Sequence, residues 1–404
     1  MLSRELKQGI HWVGAIDWDR RTFDELIPLP DGTSYNAYLV KGGEKTALID
    51  TVDPAFADVL LDRLAALGVT RLDYVISNHA EQDHSGAIPA VLARHPEAMV
   101  VATPKGQGLL MDLLAIPAER FLPAEDGAAL ELGGRRLRFI HFPWVHWPET
   151  MLTWLEQDRM LFSCDLFGAH LALGDMVAPD DCVAMEAAKR YYAEIMMPYR
   201  NVIRGNLPRV TALPVETICP SHGPVLHRPQ AILDAYQRWV ADQPGERAVI
   251  AYASMHDSTR VMVQHLAEAL ITRGVGVDLF NLATADLGKL AVALVDAGTL
   301  VLGSPTVLGG AHPLVANAAY LANLLKPRAR YGAIVGSYGW GGKMVAQLTG
   351  LMPALKLEWF EPVSAKGLPK PTDLEALDRL ADAIAAKHGE LRTAPGDAAS
   401  HTTP

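Results

Sequence analysis

The sequence predicts an α/β protein built as two domains, and three observations carry that expectation. Short apolar runs alternate with stretches of helical periodicity along the whole chain. In the second half the runs AVIAYAS, VGVDLFNL, TLVLGSP and YGAIVGS are apolar on both faces, as in the strands of a doubly wound parallel sheet. Between the halves, Gln243-Pro244-Gly245-Glu246 is the strongest boundary signal. The 404 residues fit two or three domains at roughly 150 residues each. The expected division is 1–246 and 247–390, with 391–404, polar and small, as a disordered tail.

Taken in order, TALIDTV reads as a strand ending at Asp50, and AFADVLLDRLAALG as a helix closed by Gly68. LDYVISNH is a strand running into a polar loop, followed by the helical GAIPAVLARH. RRLRFIHF is a strand, and MLTWLE and RMLFSCD form a hairpin about Gln157-Asp158-Arg159. VETICPSHG is a strand meeting a loop, and PQAILDAYQRWVAD a helix. Past the boundary, TRVMVQHLAEALITRG is the clearest helix between strands.

Composition excludes several classes. Lys and Arg total 36 against 46 Asp and Glu, a formal charge of −10, which disfavours nucleic acid and anionic membrane as partners. No apolar run reaches the ~18 residues of a membrane span, and the N-terminus lacks a secretory pattern. Cys164, Cys182 and Cys219 form neither a disulfide framework nor a Cys-x-x-Cys pair. A cytoplasmic protein is expected.

The loop Asn78–Gly86 packs His79, Glu81, Asp83 and His84 into six residues where a strand should end, the place at which open sheets put their ligands. His146, Asp165 and His222 follow other apolar runs. One such residue alone is ordinarily a cap or turn former. A dense cluster with three strand-end partners is different, because its charges repel unless a cation organises them. Mixed nitrogen and oxygen donors suit iron or manganese as well as zinc, and a carboxylate, here Asp165, can bridge two metals.

In the second half, Ser254, Met255, His256, Asp257, Ser258 and Thr259 lie between a strand and a helix start, where free N–H groups suit a phosphate. Without a Gly-Lys ending or GxGxxG, a monophosphate such as that of FMN fits better than a nucleoside triphosphate. Ser304, Pro305, Thr306 and Val307, and Ser337, Tyr338, Gly339, Trp340 and Gly341, are expected in loops at two further strand ends. Glycines there permit close backbone approach, and aromatics offer a stacking surface for a flavin.

HAEQDH with His146, Asp165 and His222 resembles the metallo-β-lactamase-like domain of flavodiiron proteins, in which HxExDH replaces the HxHxDH of zinc hydrolases. HWPETM and YYAEIMMPY look like further segments of that family, and SPT with GSYGW is similar to its flavodoxin-like half. The resemblance covers roughly residues 1–390. It implies an αββα sandwich followed by a flavodoxin-like domain. It also implies one iron held by His79, Glu81 and His146, another by Asp83, His84 and His222, and Asp165 bridging; Tyr192 is expected either near their open face or as a core tyrosine. Cys164, where relatives commonly carry a polar residue, reads as a buried structural thiol. The implied activity is reduction of O2 to water or of NO to N2O, using FMN and two irons. An external donor such as rubredoxin or a flavin- or NADH-linked reductase would supply electrons. A head-to-tail homodimer or a homotetramer would bring FMN of one chain to the irons of another, with Trp147 and Trp340 candidates to line that junction. A dizinc hydrolase with an appended flavodoxin-like domain, or a flavodoxin-type electron carrier, is the alternative.

Overall fold

The computed structural model describes residues 3–177 and 181–393. Contacts divide it into two units: Met1–Tyr192 with Tyr199–Val240, and Ala241–Pro404 with Ala193–Pro198.

The first unit contains two packed sheets. One runs in the order Arg4–Lys7, Ile10–Trp12, Tyr38–Lys41, Thr46–Ile49, Tyr74–Ile76, Met99–Ala102 and Phe121–Pro123. Its side chains alternate with the period of two that a pleated strand imposes. Leu39, Leu48, Val75 and Val100 join Leu60, Leu64, Ile88 and Leu110 of the covering helices in one apolar core. Tyr38, Val40, Ala47, Ile49 and Ile76 face a second core with Leu137, Phe139, Leu155 and Phe162 of the other sheet. That sheet runs Ala129–Glu131, Arg136–His141, Met151–Leu155, Met160–Cys164, Thr217–Pro220. The hairpin about Gln157–Arg159 is present, with Leu155 opposite Met160, and Thr217–Pro220 pairs parallel to Met160–Cys164.

The second unit is a parallel sheet in the order Gly276–Asn281, Arg247–Tyr252, Ala297–Val307, Tyr331–Tyr338, Glu358–Trp359. In chain order this is 2-1-3-4-5, whose topological switch lies between the first and third strands, the place where such sheets take ligands. Among the described residues no helix is long and apolar enough to cross a membrane.

Four details depart from the sequence reading. The segment Gln243–Glu246 is packed into the second unit: Gln243 Nε2 donates to Leu391 O at 2.9 Å, and His388 Nδ1 lies 3.1 Å from Glu246 O. Gly245 permits this, since a Cβ there would sit 1.7 Å from Asp296 O. The last helix, Pro371–Thr393, enters the expected tail and buries Leu391; residues 394–404 lie outside the described residues. The polar loop after Tyr74–Ile76 closes into a helical turn, Gln82–Ser85. Ser304–Val307 and Ser337–Tyr338 are strand: Ser304 and Pro305 pair with Gly336 and Ser337, Thr306 and Val307 with Gly310–Ala311, and Ser337 and Tyr338 with Val363–Lys366.

Asn36 ties the sheets together at the end that carries the metal-ligand candidates. Its Oδ1 accepts from Trp12 Nε1 at 2.9 Å, and its Nδ2 donates to Pro220 O at 2.8 Å and Gly223 O at 2.9 Å, on either side of His222. Asn36→Ala orphans buried polar groups on both sheets. It should cost about 3 kcal/mol of stability, read as a lowered urea midpoint, and a loss under about 1 kcal/mol would count against this tie.

Candidate metal centre and flavin crevice

The seven side chains singled out as metal ligands meet at one place. His79 Nε2 and His146 Nε2 each lie 3.2 Å from Glu81 Oε2, and 3.5 and 3.3 Å from Asp165 Oδ2. On the other side, His84 Nε2 is 3.3 Å from Asp83 Oδ1 and 3.0 Å from Asp165 Oδ1. His222 Nε2 is 3.2 Å from Asp83 Oδ2 and 3.6 Å from Asp165 Oδ1. One oxygen of Asp165 therefore faces each set.

These donors fit a pair of cations. Both oxygens of Asp83 and of Asp165 are buried without a hydrogen-bond partner, although ring nitrogens stand close by. Lone pairs converging at about 3.0–3.5 Å are what ligands about 2.1 Å from a common ion present to one another. The sets His79–Glu81–His146–Asp165 and Asp83–His84–His222 each keep their donor atoms within 4.8 Å. Cys164, with His84 and Asp165, makes a third such group. Its thiol is fully buried and pushed well above its ordinary pKa, by burial first and then by Asp165 and Asp50.

Supporting contacts aim these ligands. His79 Nδ1 meets Glu149 Oε1 at 2.7 Å, and the same oxygen accepts from Ala80 N at 2.9 Å, which leaves Nε2 for the cluster. His222 Nδ1 donates to Ser34 O at 2.7 Å. Trp147 stands edge-on to His79 with ring centres 4.9 Å apart. Asp50, at the end of Thr46–Ile49, accepts from Asn78 N and Nδ2, both at 2.8 Å, and so holds the start of the ligand loop. His170 adds an imidazole 4.7 Å from His222, with Nδ1 2.9 Å from Thr33 Oγ1.

Tyr192 is not at the cluster. It is buried, its hydroxyl donates to Trp239 O at 2.9 Å, and its ring packs on Tyr236 and Trp239. The neighbouring Tyr191 takes that place, with its ring centre 5.7 Å from His222 and 4.8 Å from His170. Adjacent helical residues point about 100° apart, so only the buried stripe Ala184, Ala188, Tyr191 tells the two tyrosines apart. Glu149 carries a signal in HWPET and Asp50 in its place at a strand end; His170 carries none.

In the second unit, Ser254–Thr259 do join the strand Arg247–Tyr252 to the helix Ser258–Thr272, with Asp257 left-handed at φ 63°. Met255, His256 and Asp257 are exposed, and Trp340 is 92% exposed. Several hydroxyls predicted for the ligand are spent inside the protein. Thr259 Oγ1 bonds Ser337 Oγ at 3.0 Å, and Ser304 Oγ accepts from His312 N at 2.9 Å. The hydroxyls of Thr259, Ser304 and Ser337 are therefore engaged within the protein.

Left to themselves, the ligand side chains trap protons. Burial opposes a charge on His79 and His146, yet the surrounding carboxylates outweigh it and raise each to about 10; His84 is raised to about 9. Imidazoles hold Asp165 and Glu81 well below the usual carboxylate range despite burial. Metal loading must therefore expel protons. For His79, raised from 6.5 to about 10, the stabilising proton is fully bound below pH 6.5 and lost as pH climbs through 10. The Tm gap between metal-loaded and chelated protein should widen from pH 6.5 to 10, and a narrowing gap would contradict the ligand assignment. Glu149→Gln should weaken metal affinity about 10–100-fold in chelator competition.

Residues 33–223 match a family model described as ODP family beta lactamase. A nitric oxide reductase of Moorella thermoacetica is 35% identical over 393 residues, covering 95% of this chain and 98% of that protein. The rubredoxin oxygen:oxidoreductase of Desulfovibrio gigas aligns with a TM-score of 0.93 at 29% identity, over 97% of this chain and 100% of that one. The flavodiiron protein of Giardia intestinalis gives 0.90 at 26%, over 96% and 97%. This chain, with its two-sided histidine–carboxylate cluster and its 2-1-3-4-5 sheet, belongs to the flavodiiron family of oxidoreductases, the type A flavoproteins.

Proposed function

We infer that the protein reduces a small diatomic gas, O2 to water or NO to N2O, at a non-haem diiron centre supplied with electrons by FMN. The observation that carries this reading is Asp165, buried between two donor sets with one oxygen toward each. His79, Glu81 and His146 would hold one iron, and Asp83, His84 and His222 the other. When bound, the irons supply Lewis acidity and electrons to the gas, and the flavin takes electrons from a donor. The rest is the chain's own work. Glu149 fixes the tautomer of His79, Trp147 covers its ring, and Tyr191 keeps a neutral phenol beside Asp165, its ionisation pushed well up by burial and by that carboxylate.

The switch between Arg247–Tyr252 and Ala297–Val307 would hold FMN, with the N–H groups at the start of Ser258–Thr272 available to a phosphate and Trp340 offering an aromatic surface. Exposed apolar groups at this edge, Met255, Leu308 and Trp340, suit a surface covered by a second copy, as a head-to-tail homodimer or a tetramer requires. An outside donor such as rubredoxin, named in the D. gigas relative, would reduce the flavin. Glu81 in place of an imidazole argues against a dizinc hydrolase, because it adds a hard oxygen donor to the first set.

Anaerobic reduction followed by O2 or NO tests the reading. Iron-loaded wild type should reoxidise rapidly with at least one gas, giving N2O if NO is the substrate. Glu81→Ala and Asp165→Ala should lose more than the about 10–100-fold that a supporting contact costs. Two zinc and no iron in active protein, or indifference to both gases, would defeat it.

A further inference from the structure

A pocket of about 190 Å³ lies in the first unit between the helices Asp181–Tyr191 and Pro229–Trp239. Its rim is exposed: Val177, His227 and Arg228. Its inner wall is buried and apolar: Ala184, Val225 and Ile232. The volume is below the roughly 300 Å³ at which pockets for drug-sized ligands begin. It exceeds the ~150 Å³ of apolar cavities that stay dry and admit xenon. Behind a rim that carries His227 and Arg228, the size and apolar inner wall suit a small, weakly polar molecule.

The inner wall is connected to the metal ligands twice. Val225 is three residues beyond His222 on the same loop, and its N–H donates to Met176 O at 2.6 Å. Along the helix, Ala184, Ala188 and Tyr191 fall on one face at i, i+4 and i+7, and all three are buried. That face spans about 10 Å at 1.5 Å per residue. It starts in the pocket and ends at the Tyr191 ring against His222 and His170. Between the pocket and Tyr191 that face carries one residue, Ala188, whose side chain is a single methyl group.

We propose that this pocket and the alanine face below it form the entry route for the diatomic gas, holding it in an apolar antechamber before it reaches the ligand cluster. The proposal rests on the gas-reductase reading and adds the route and the residues that control it. Supply through the route limits KM for the gas and leaves the chemistry after binding untouched.

Crystals of the holoenzyme pressurised with xenon provide a test that needs no turnover: xenon should occupy the space between Ala184, Val225 and Ile232. Ala184→Phe fills that space and should displace the xenon. It should raise KM for O2 or NO by about fivefold or more with kcat, iron content and flavin content unchanged. Ala184→Leu, a smaller fill, should give a smaller rise and serves if the phenylalanine variant does not fold. Absence of xenon from the pocket, or an unmoved KM once xenon is displaced, overturns the route while gas turnover remains. Failure of wild type to react with either gas is a different result: it overturns the functional reading and the route with it.

Discussion

The first unit is organised around one buried carboxylate shared by two sets of donors. Glu81, Asp83 and Asp165 crowd one largely buried space, with Asp50 and Glu149 close behind. Carboxylates brought this close cannot all stay ionised without positive charge among them. Asp50 shows the strain, its carboxyl raised to about 6 by burial in spite of His84 and the bonds from Asn78. Imidazoles carrying protons, or cations, supply the compensation, and the geometry favours cations because the Asp165 oxygens make no hydrogen bond. The fold tolerates an arrangement that would destabilise an ordinary core.

Holding such a cluster requires rigid supports, and the two sheets provide them. Ligands follow Tyr74–Ile76, Met160–Cys164 and Thr217–Pro220, strands whose side chains are almost entirely buried, and Asn36 and Glu149 lock two of the histidine-bearing loops. The candidate flavin loops are built on the opposite principle: Met255, His256, Asp257 and Trp340 stand exposed beyond the C-terminal ends of the strands Arg247–Tyr252 and Tyr331–Tyr338.

The convergence of histidines and carboxylates is legible in the sequence because few other arrangements explain two imidazoles and two carboxylates in one short loop at a strand end. The helix–loop–strand rhythm was readable for the same reason: its signals are local. What escaped was non-local. Ser304 and Ser337 looked like loop hydroxyls, but Gly310–Ala311 and Val363–Lys366 extend their strands, and His312 and Thr259 occupy those hydroxyls. The choice between Tyr191 and Tyr192 depended on what stands opposite the helix, which one chain read linearly does not reveal. Gln243-Pro244-Gly245-Glu246 has the composition of a loose linker, yet the missing Cβ of Gly245 is what lets it pack tightly.

The parallel pairing of Thr217–Pro220 with Met160–Cys164 also sets an order of events during biosynthesis. His79 leaves the ribosome long before His222, and the last ligand reaches its place only when Thr217–Pro220 docks beside a strand made much earlier. Asn36, near the beginning of the chain, must then find the carbonyls of Pro220 and Gly223. Until that closure the second donor set lacks an imidazole, while every residue of the first set is already made. The set Asp83–His84–His222 is thereby completed only once Thr217–Pro220 has been made and docked.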